Sequence, residues 1–170
     1  FTCIFGNKKA KVKTSVIGAH QVNNILLAVS GAMAAGMTFK EAAEATGNIQ
    51  SNLKSLSVVP GINGSIYIND TFNNNPNSAK AALDVLQWGK GRKHLVFHPM
   101  IELGAYAAES HTSVGAYAAR VADEIMLTNN NFYEPFMKGV RSVSDKVKVS
   151  VLSSDKAASL LGSKLGKGDA

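Results

Sequence analysis

From about residue 65 onward, short apolar strand-like runs alternate with longer segments of helical periodicity, and this pattern narrows the possible folds more than anything else in the sequence. Strand signals near Ser65–Ile68, His94–Phe97, Glu124–Leu127 and Val147–Leu152 are separated by helical patterns. The helices are expected near Pro76–Trp88, Ala107–Val121, a poorer segment containing Pro135, and Asp155–Leu165. Parallel strands must be joined by a crossover, and a helix on the sheet face is the ordinary right-handed one. The expected fold class is therefore α/β, a Rossmann-like, mostly parallel sheet with helices on its faces.

The first fifty residues read differently. Thr2–Phe5 and Lys11–Val16 are strand-like and meet across Gly6 and Asn7, which predicts a β-hairpin. A run rich in Ala, Leu and Ile over Gln21–Ala35 predicts a buried helix, with Gly36 suited to the left-handed position beyond its end. Thr38 and Glu41 have capping-box spacing for a short helix that Gly47 can close. Residues 48–64, which include Asn48, Asn52, Pro60, Gly61, Asn63 and Gly64, show little periodicity beyond a strand near Leu56–Val59. The expected division is a first domain over 1–50, a linker over 51–64 and a second domain over 65–170.

Composition removes several functional classes. A lone cysteine, Cys3, makes no internal disulfide, and His20, His94, His98 and His111 lack the close pairing of a zinc site, so no structural metal is expected. The net charge of +6 raises nucleic acid as a partner. However, Lys8, Lys9, Lys11 and Lys13 cluster on the hairpin without interleaved aromatics, the pattern of a solvated face. No apolar run approaches the ~18–20 residues of a membrane span and no signal peptide opens the chain, so a cytoplasmic protein is expected. Both ends predict continuation, because the chain opens on a strand and stops at Gly-Lys-Gly-Asp-Ala, a loop suited to entering another.

Three polar stretches carry candidate chemistry. Asn69-Asp70-Thr71-Phe72-Asn73-Asn74-Asn75-Pro76-Asn77-Ser78 follows a strand and precedes a helix. Asn75 can cap that helix with Pro76 at its first position, and Ala79, Ala82, Leu83 and Leu86 form its buried stripe. In open parallel sheets ligands bind beyond the carboxyl ends of strands, where this loop should lie beside a helix amino terminus. Asp70 can accept hydrogen bonds from ribose hydroxyls, and it can equally build a turn. His98-Pro99-Met100-Ile101-Glu102-Leu103-Gly104 follows the next strand and belongs on the same edge. Glu102 there is either functional or a cap for the following helix. Gly18-Ala19-His20-Gln21-Val22-Asn23-Asn24 opens the first long helix; Asn24 suits an adenine edge and His20 can pack on a base, with helix capping as the alternative.

Taken together, these stretches resemble the Mur ligases, and within that family the branch that joins D-alanyl-D-alanine to a UDP-muramoyl peptide. The Gly-x-His-x-x-x-Asn element ending the family's central domain stands here as Gly18, His20 and Asn24. Its Asp-Ser-Tyr-Asn-Ala-Asn-Pro-x-Ser loop stands as Asp70 to Ser78, followed by Ala81-Ala82-Leu83-Asp84-Val85-Leu86. Met-x-Glu-Leu-Gly stands as Met100 to Gly104, with His111, Val114-Gly115 and Ala118-Ala119 at similar spacing.

The resemblance implies that residues 1–50 finish an ATP-binding central domain and that the second domain is the family's carboxyl-terminal Rossmann-like domain, its last strand absent. It implies ATP and Mg2+ as cofactors, with the magnesium ligands mostly upstream, and small-molecule substrates, a UDP-muramoyl peptide and D-alanyl-D-alanine. His20, Asn24 and Asp70 would contact ATP, and Asn73, Asn75 and Ser78 would shape the loop near the acceptor amine. The family's Gly-x-x-Gly-Lys-Thr phosphate loop is not in these residues, so the fragment alone is expected to be inactive. Lys54-Ser55 stands where the family usually has Gly-Arg, and His98-Pro99 where Gly-Asp is common. Alternatives are a noncatalytic nucleotide- or wall-precursor-binding derivative and a folylpolyglutamate-type ligase.

Overall fold

The computed structural model describes residues 1–50 and 55–170, which fall into two compact units, Phe1–Leu53 and Lys54–Ala170. Asn52 and Lys54, both singled out in the sequence, lie outside the described residues.

In the first unit β1 (Thr2–Phe5) pairs antiparallel with β2 (Lys8–Lys11), Phe5 opposite Lys8. The hairpin forms as expected, but its second strand starts at Lys8 rather than Lys11. Gly6, at φ +56, makes a two-residue turn, after which pairing must resume at once. Helix α1 (His20–Ala34) ends in a Schellman arrangement: the Gly36 and Met37 N–H groups donate to the Met33 and Ala32 carbonyls, with Gly36 at φ +102. The expectation of a buried helix is corrected. Only Ile25 and Val29 of α1 are buried, and Leu27 is 72% exposed, because α2 (Phe39–Ala45) and the hairpin cover a single side. Thr38 and Glu41 form the reciprocal box that starts α2. Its end differs from expectation: Thr46–Asn48 continues as one tight turn, and Gly47 is not left-handed.

The second unit begins with β3 (Ser57–Pro60), antiparallel to β4 (Ile66–Asn69). The strand preceding the asparagine-rich loop was expected in the parallel ladder; it belongs instead to this hairpin, whose turn carries left-handed Asn63 and Gly64. Helix α3 (Pro76–Leu86) follows, then β5 (His94–Phe97), α4 (Ala107–Val121), β6 (Glu124–Leu127), α5 (Tyr133–Arg141), β7 (Lys148–Val151) and α6 (Ser154–Lys164). Strands β5, β6 and β7 form a parallel sheet in that order.

Side chains alternate across a sheet. Ile125 and Leu127 enter the main core with Val114 and Ala118 of α4 and Phe136 of α5, while Glu124 meets Lys164 of α6. Helices α4 and α5 pack so closely that a Cβ on Gly139 would lie 2.0 Å from the Thr112 carbonyl oxygen, and one on Gly115 would lie 2.2 Å from that of Phe136.

The final residues run alongside β5. Ala170 donates to the Arg92 carbonyl and accepts from His94 N–H, a parallel bridge, while Asp169 accepts from Ile66 N–H of β4. A mostly apolar cavity of about 340 Å³ lies against β4 and β5, lined by residues that include Ile68, Leu86, Val96, Leu161 and Ala170.

Candidate functional site at the carboxyl edge of the sheet

The asparagine-rich loop leaves β4 at Asn69 and enters α3 at Pro76. Its last residues are committed to the helix. The Asn75 side chain accepts from the Asn77 and Ser78 N–H groups, each at 3.0 Å, and Asn75 N–H donates to Ser78 Oγ at 3.0 Å. Asn75 and Ser78 thus fix where the loop ends. Asp70, Thr71, Phe72, Asn73 and Asn74 remain on the rim of a cavity of about 550 Å³.

The opposite wall is the loop after β5, His98 to Ile101, and Thr128, directly after β6, and Ser154, at the start of α6, complete the edge. Leu83, Leu95 and Phe97 supply apolar lining from beneath. An apolar cavity with a few converging polar groups is the form of a small-molecule site.

The two loops are joined by one bond, from Asn74 Nδ2 to the His98 carbonyl at 2.7 Å. His98 Nδ1 lies 2.6 Å from Thr128 Oγ1, linking the wall to the next strand. Asp70 Oδ1 accepts from Leu56 N–H at 3.0 Å, which anchors the start of the loop to the β3 approach.

The structure brings Asp70 and Asn73 to one cavity and places Asn75 and Ser78 in the adjoining cap. His20 and Asn24 lie on α1 of the first unit; both are exposed, and Asn24 Nδ2 donates to Gln21 Oε1 at 2.9 Å. Glu102 caps nothing. It is exposed, at φ +62, and α4 begins without a side-chain cap. Asn74 and Thr128 were missed as individual site residues. Thr128 had a usable signal, since a polar residue directly after a parallel strand falls on this edge.

Ionised groups are scarce here. Among the described residues no group of three or more His, Cys, Asp or Glu side chains is placed to hold a metal ion. Among the described residues, then, no such cluster supplies a magnesium cradle.

The second unit is thus an α/β domain with a ligand-sized cavity beyond the carboxyl ends of a parallel sheet. Residues 56–170 match the family described as Mur ligase, glutamate ligase domain, and the chain belongs to that family. It is 31% identical over 128 residues to the UDP-N-acetylmuramoyl-tripeptide--D-alanyl-D-alanine ligase of Mycobacterium tuberculosis, covering 71% of this chain and 25% of that protein. The crystal structure of MurF from Acinetobacter baumannii superimposes with a TM-score of 0.81 at 25% identity, over 96% of this chain and 35% of that one. The MurF ligase from Thermotoga maritima in complex with ADP shares the fold, with a TM-score of 0.72 at 24% identity over 95% of this chain and 36% of that one. The chain spans about a quarter of the length of the curated relative.

Proposed function

We propose that this chain is part of a cytoplasmic ATP-dependent ligase that joins D-alanyl-D-alanine to the carboxylate of a UDP-muramoyl peptide in peptidoglycan synthesis. The observation that carries this reading is the cavity between the Asp70–Asn74 and His98–Ile101 loops, with Asn74 tying one to the other. Among the described residues no helix is long and apolar enough to cross a membrane.

In the proposed reaction an oxygen of the peptide carboxylate attacks the γ-phosphorus of ATP and ADP departs. The free amine of the dipeptide then attacks the carbonyl carbon of the acyl phosphate. Collapse of the tetrahedral intermediate expels inorganic phosphate, the amine loses its proton, and the amide remains. Such chemistry depends on holding reactants in place and on donors aimed at developing negative charge.

In this reading Asn24 and His20 of the first unit, as the end of an ATP-binding central domain, contact adenine, and Asp70 accepts from the ribose hydroxyls. Asn73 faces the acceptor amine, with the Asn75–Ser78 cap holding its loop in place. The polar lining suits an amine acceptor: Asp70 and the asparagines offer acceptor oxygens, and no lysine or arginine among the lining residues would repel an ammonium group.

Asp70→Ala in the intact protein is expected to raise the KM for ATP about tenfold or more, the worth of a hydrogen bond to a charged acceptor. An unchanged KM removes Asp70 from the nucleotide site. The assay is ADP release, stimulated by a UDP-muramoyl tripeptide together with D-alanyl-D-alanine. Stimulation by a folate and glutamate instead would assign a folylpolyglutamate-type activity, and nucleotide binding without turnover would assign a noncatalytic role.

A further inference from the structure

His111 is buried in α4 and is not among the residues that line the candidate cavity, yet it is bonded directly to a wall of that site. Its Nε2 accepts from the backbone N–H of Met100 at 3.0 Å, and its Nδ1 lies 2.7 Å from the Ala107 carbonyl oxygen. A backbone N–H can only donate and a carbonyl can only accept, so the proton sits on Nδ1 and the ring is neutral. Aromatic neighbours fix the ring plane. Phe132 stacks on it at 4.4 Å and 15°, and Phe97 meets it edge-on at 6.5 Å and 77°.

The wall that this bond holds needs holding. Glu102 and Gly104, just beyond Met100, both have positive φ, +62 and +52. A non-glycine residue persists in that region only where its surroundings impose it. Ile101 is 67% exposed and lines the cavity, so that end of the wall has little packing of its own, whereas the Met100 side chain, 1% exposed, is set in the main core and leaves the backbone N–H to be held by His111. The bond from His111 connects it to the fully buried part of α4.

We propose that His111 is a positioning residue for the candidate site: its neutral imidazole fixes the Met100 backbone and, through it, the Pro99–Ile101 wall that receives the amine-bearing acceptor. This rests on the ligase reading above for the identity of the ligand, but not for the hold on the loop. The assignment gives the buried histidine of the third sequence motif a role that its packing alone does not explain.

Two variants separate positioning from packing. His111→Phe keeps a flat ring and leaves Met100 N–H without an acceptor; His111→Gln places an amide oxygen near the position of Nε2. In the 170-residue chain, imidazole nitrogen shifts should report the Nδ1–H tautomer. The Met100 amide should exchange about tenfold faster in His111→Phe, the loss of one net hydrogen bond, and recover in His111→Gln. In the intact ligase His111→Phe should raise the KM for the dipeptide about tenfold with the KM for ATP unchanged, again with recovery in His111→Gln.

The opposite tautomer, unchanged Met100 exchange, or equal rises in both KM values for both variants would each overturn the assignment. If His111→Phe does not fold, the wild-type tautomer and the His111→Gln exchange decide it. A wild-type protein without turnover would defeat the ligase reading alone, and the exchange measurement would still decide whether His111 holds the loop.

Discussion

The two ends of the parallel sheet both carry polar groups, but of opposite character. At the amino ends of the strands His94, Glu124 and Lys148 stand in register across β5, β6 and β7, and Lys164 reaches in from α6. Glu124 is buried and contacts all of them: Lys164 Nζ at 2.5 Å, His94 Nδ1 at 3.1 Å and Lys148 Nζ at 3.7 Å. At the carboxyl ends a single carboxylate, Asp70, stands among asparagine, threonine, serine and an exposed histidine around an open cavity. Within this buried set the charges are matched by one another, although His94 Nε2 and Glu124 Oε1 have no hydrogen-bond partner among the described residues. Polar groups on an open rim retain capacity, and so the carboxyl edge is the candidate site although the amino edge is the more highly charged.

Glu124 offers the largest test of that contrast. Burial opposes ionisation of its carboxyl, but the Lys164 hydrogen bond and the charges of Lys164, His94 and Lys148 outweigh it and hold the group below the usual glutamate range. Removing one partner of a fully buried pair costs about 3–5 kcal/mol; here Lys164 and Lys148 keep 33% and 72% of their side-chain surface exposed, which leaves about 2–3 kcal/mol. Glu124→Ala should lose that much in urea denaturation.

The same cluster predicts a pH dependence. With the folded value depressed, the unfolded chain binds more protons in acid, so stability is full above the ordinary glutamate range and falls as pH drops through the folded value. Glu124→Gln should flatten this acid limb. A loss under about 1 kcal/mol for Glu124→Ala, the scale of an exposed pair, would erase the distinction between the two edges. His94 Nε2 is buried and has no hydrogen-bond partner among the described residues, which adds to what this edge must tolerate.

Asn75→Ala gives a middle-sized effect at the opposite edge. It removes the acceptor of two backbone N–H groups at the start of α3, a loss of about 1 kcal/mol within a range of 0.5–2. The cap also fixes where the asparagine-rich loop ends, so ligand binding should weaken along with stability. Asn75→Asp restores the acceptor and should recover most of the stability. A variant that melts like the wild type would show that the cap is not what anchors the loop.

How legible each edge was in the sequence follows from the physics of each. The β5, α4 and β6 bounds could be read directly, since a four-residue apolar run between turn residues and a 3.6-residue stripe leave little choice of register. Asn75-Pro76 marked the start of α3 for the same local reason. Pairing partners could not be read this way. Alternating strands and helices suggested that the strand before Asp70 joined the parallel ladder, whereas Gly61 to Gly64 turn β3 back onto it. Lys8 to Lys11 has poor strand propensity, and pairing with β1 overrides it. Asp70 and Asn73 line the cavity although the strand before them lies outside the parallel ladder for which the topology rule holds, and the Asn74–His98 bond and the Met100–His111 bond depend on loop backbone that no periodicity encodes.

Phe72 gives the smallest expected stability effect and the most selective test of the comparison. It is a large aromatic side chain, 69% exposed, on the cavity rim beside Asp70. Removing an exposed side chain that packs on little changes stability by less than about 0.5 kcal/mol. If the carboxyl edge binds a nucleotide, however, that ring is placed to gain contact only when the ligand is present, a gain of about 0.5–1.5 kcal/mol. Phe72→Ala should therefore leave the denaturation midpoint where it is and raise the KM for ATP about threefold to tenfold in the intact protein, with Phe72→Tyr close to wild type. Glu124→Ala should show the reverse, a large loss of stability with little change in KM measured well below its melting temperature. If Phe72→Ala lowers stability and leaves the KM alone, the aromatic belongs to the fold rather than to the ligand, and the open rim loses its strongest claim to be a binding surface.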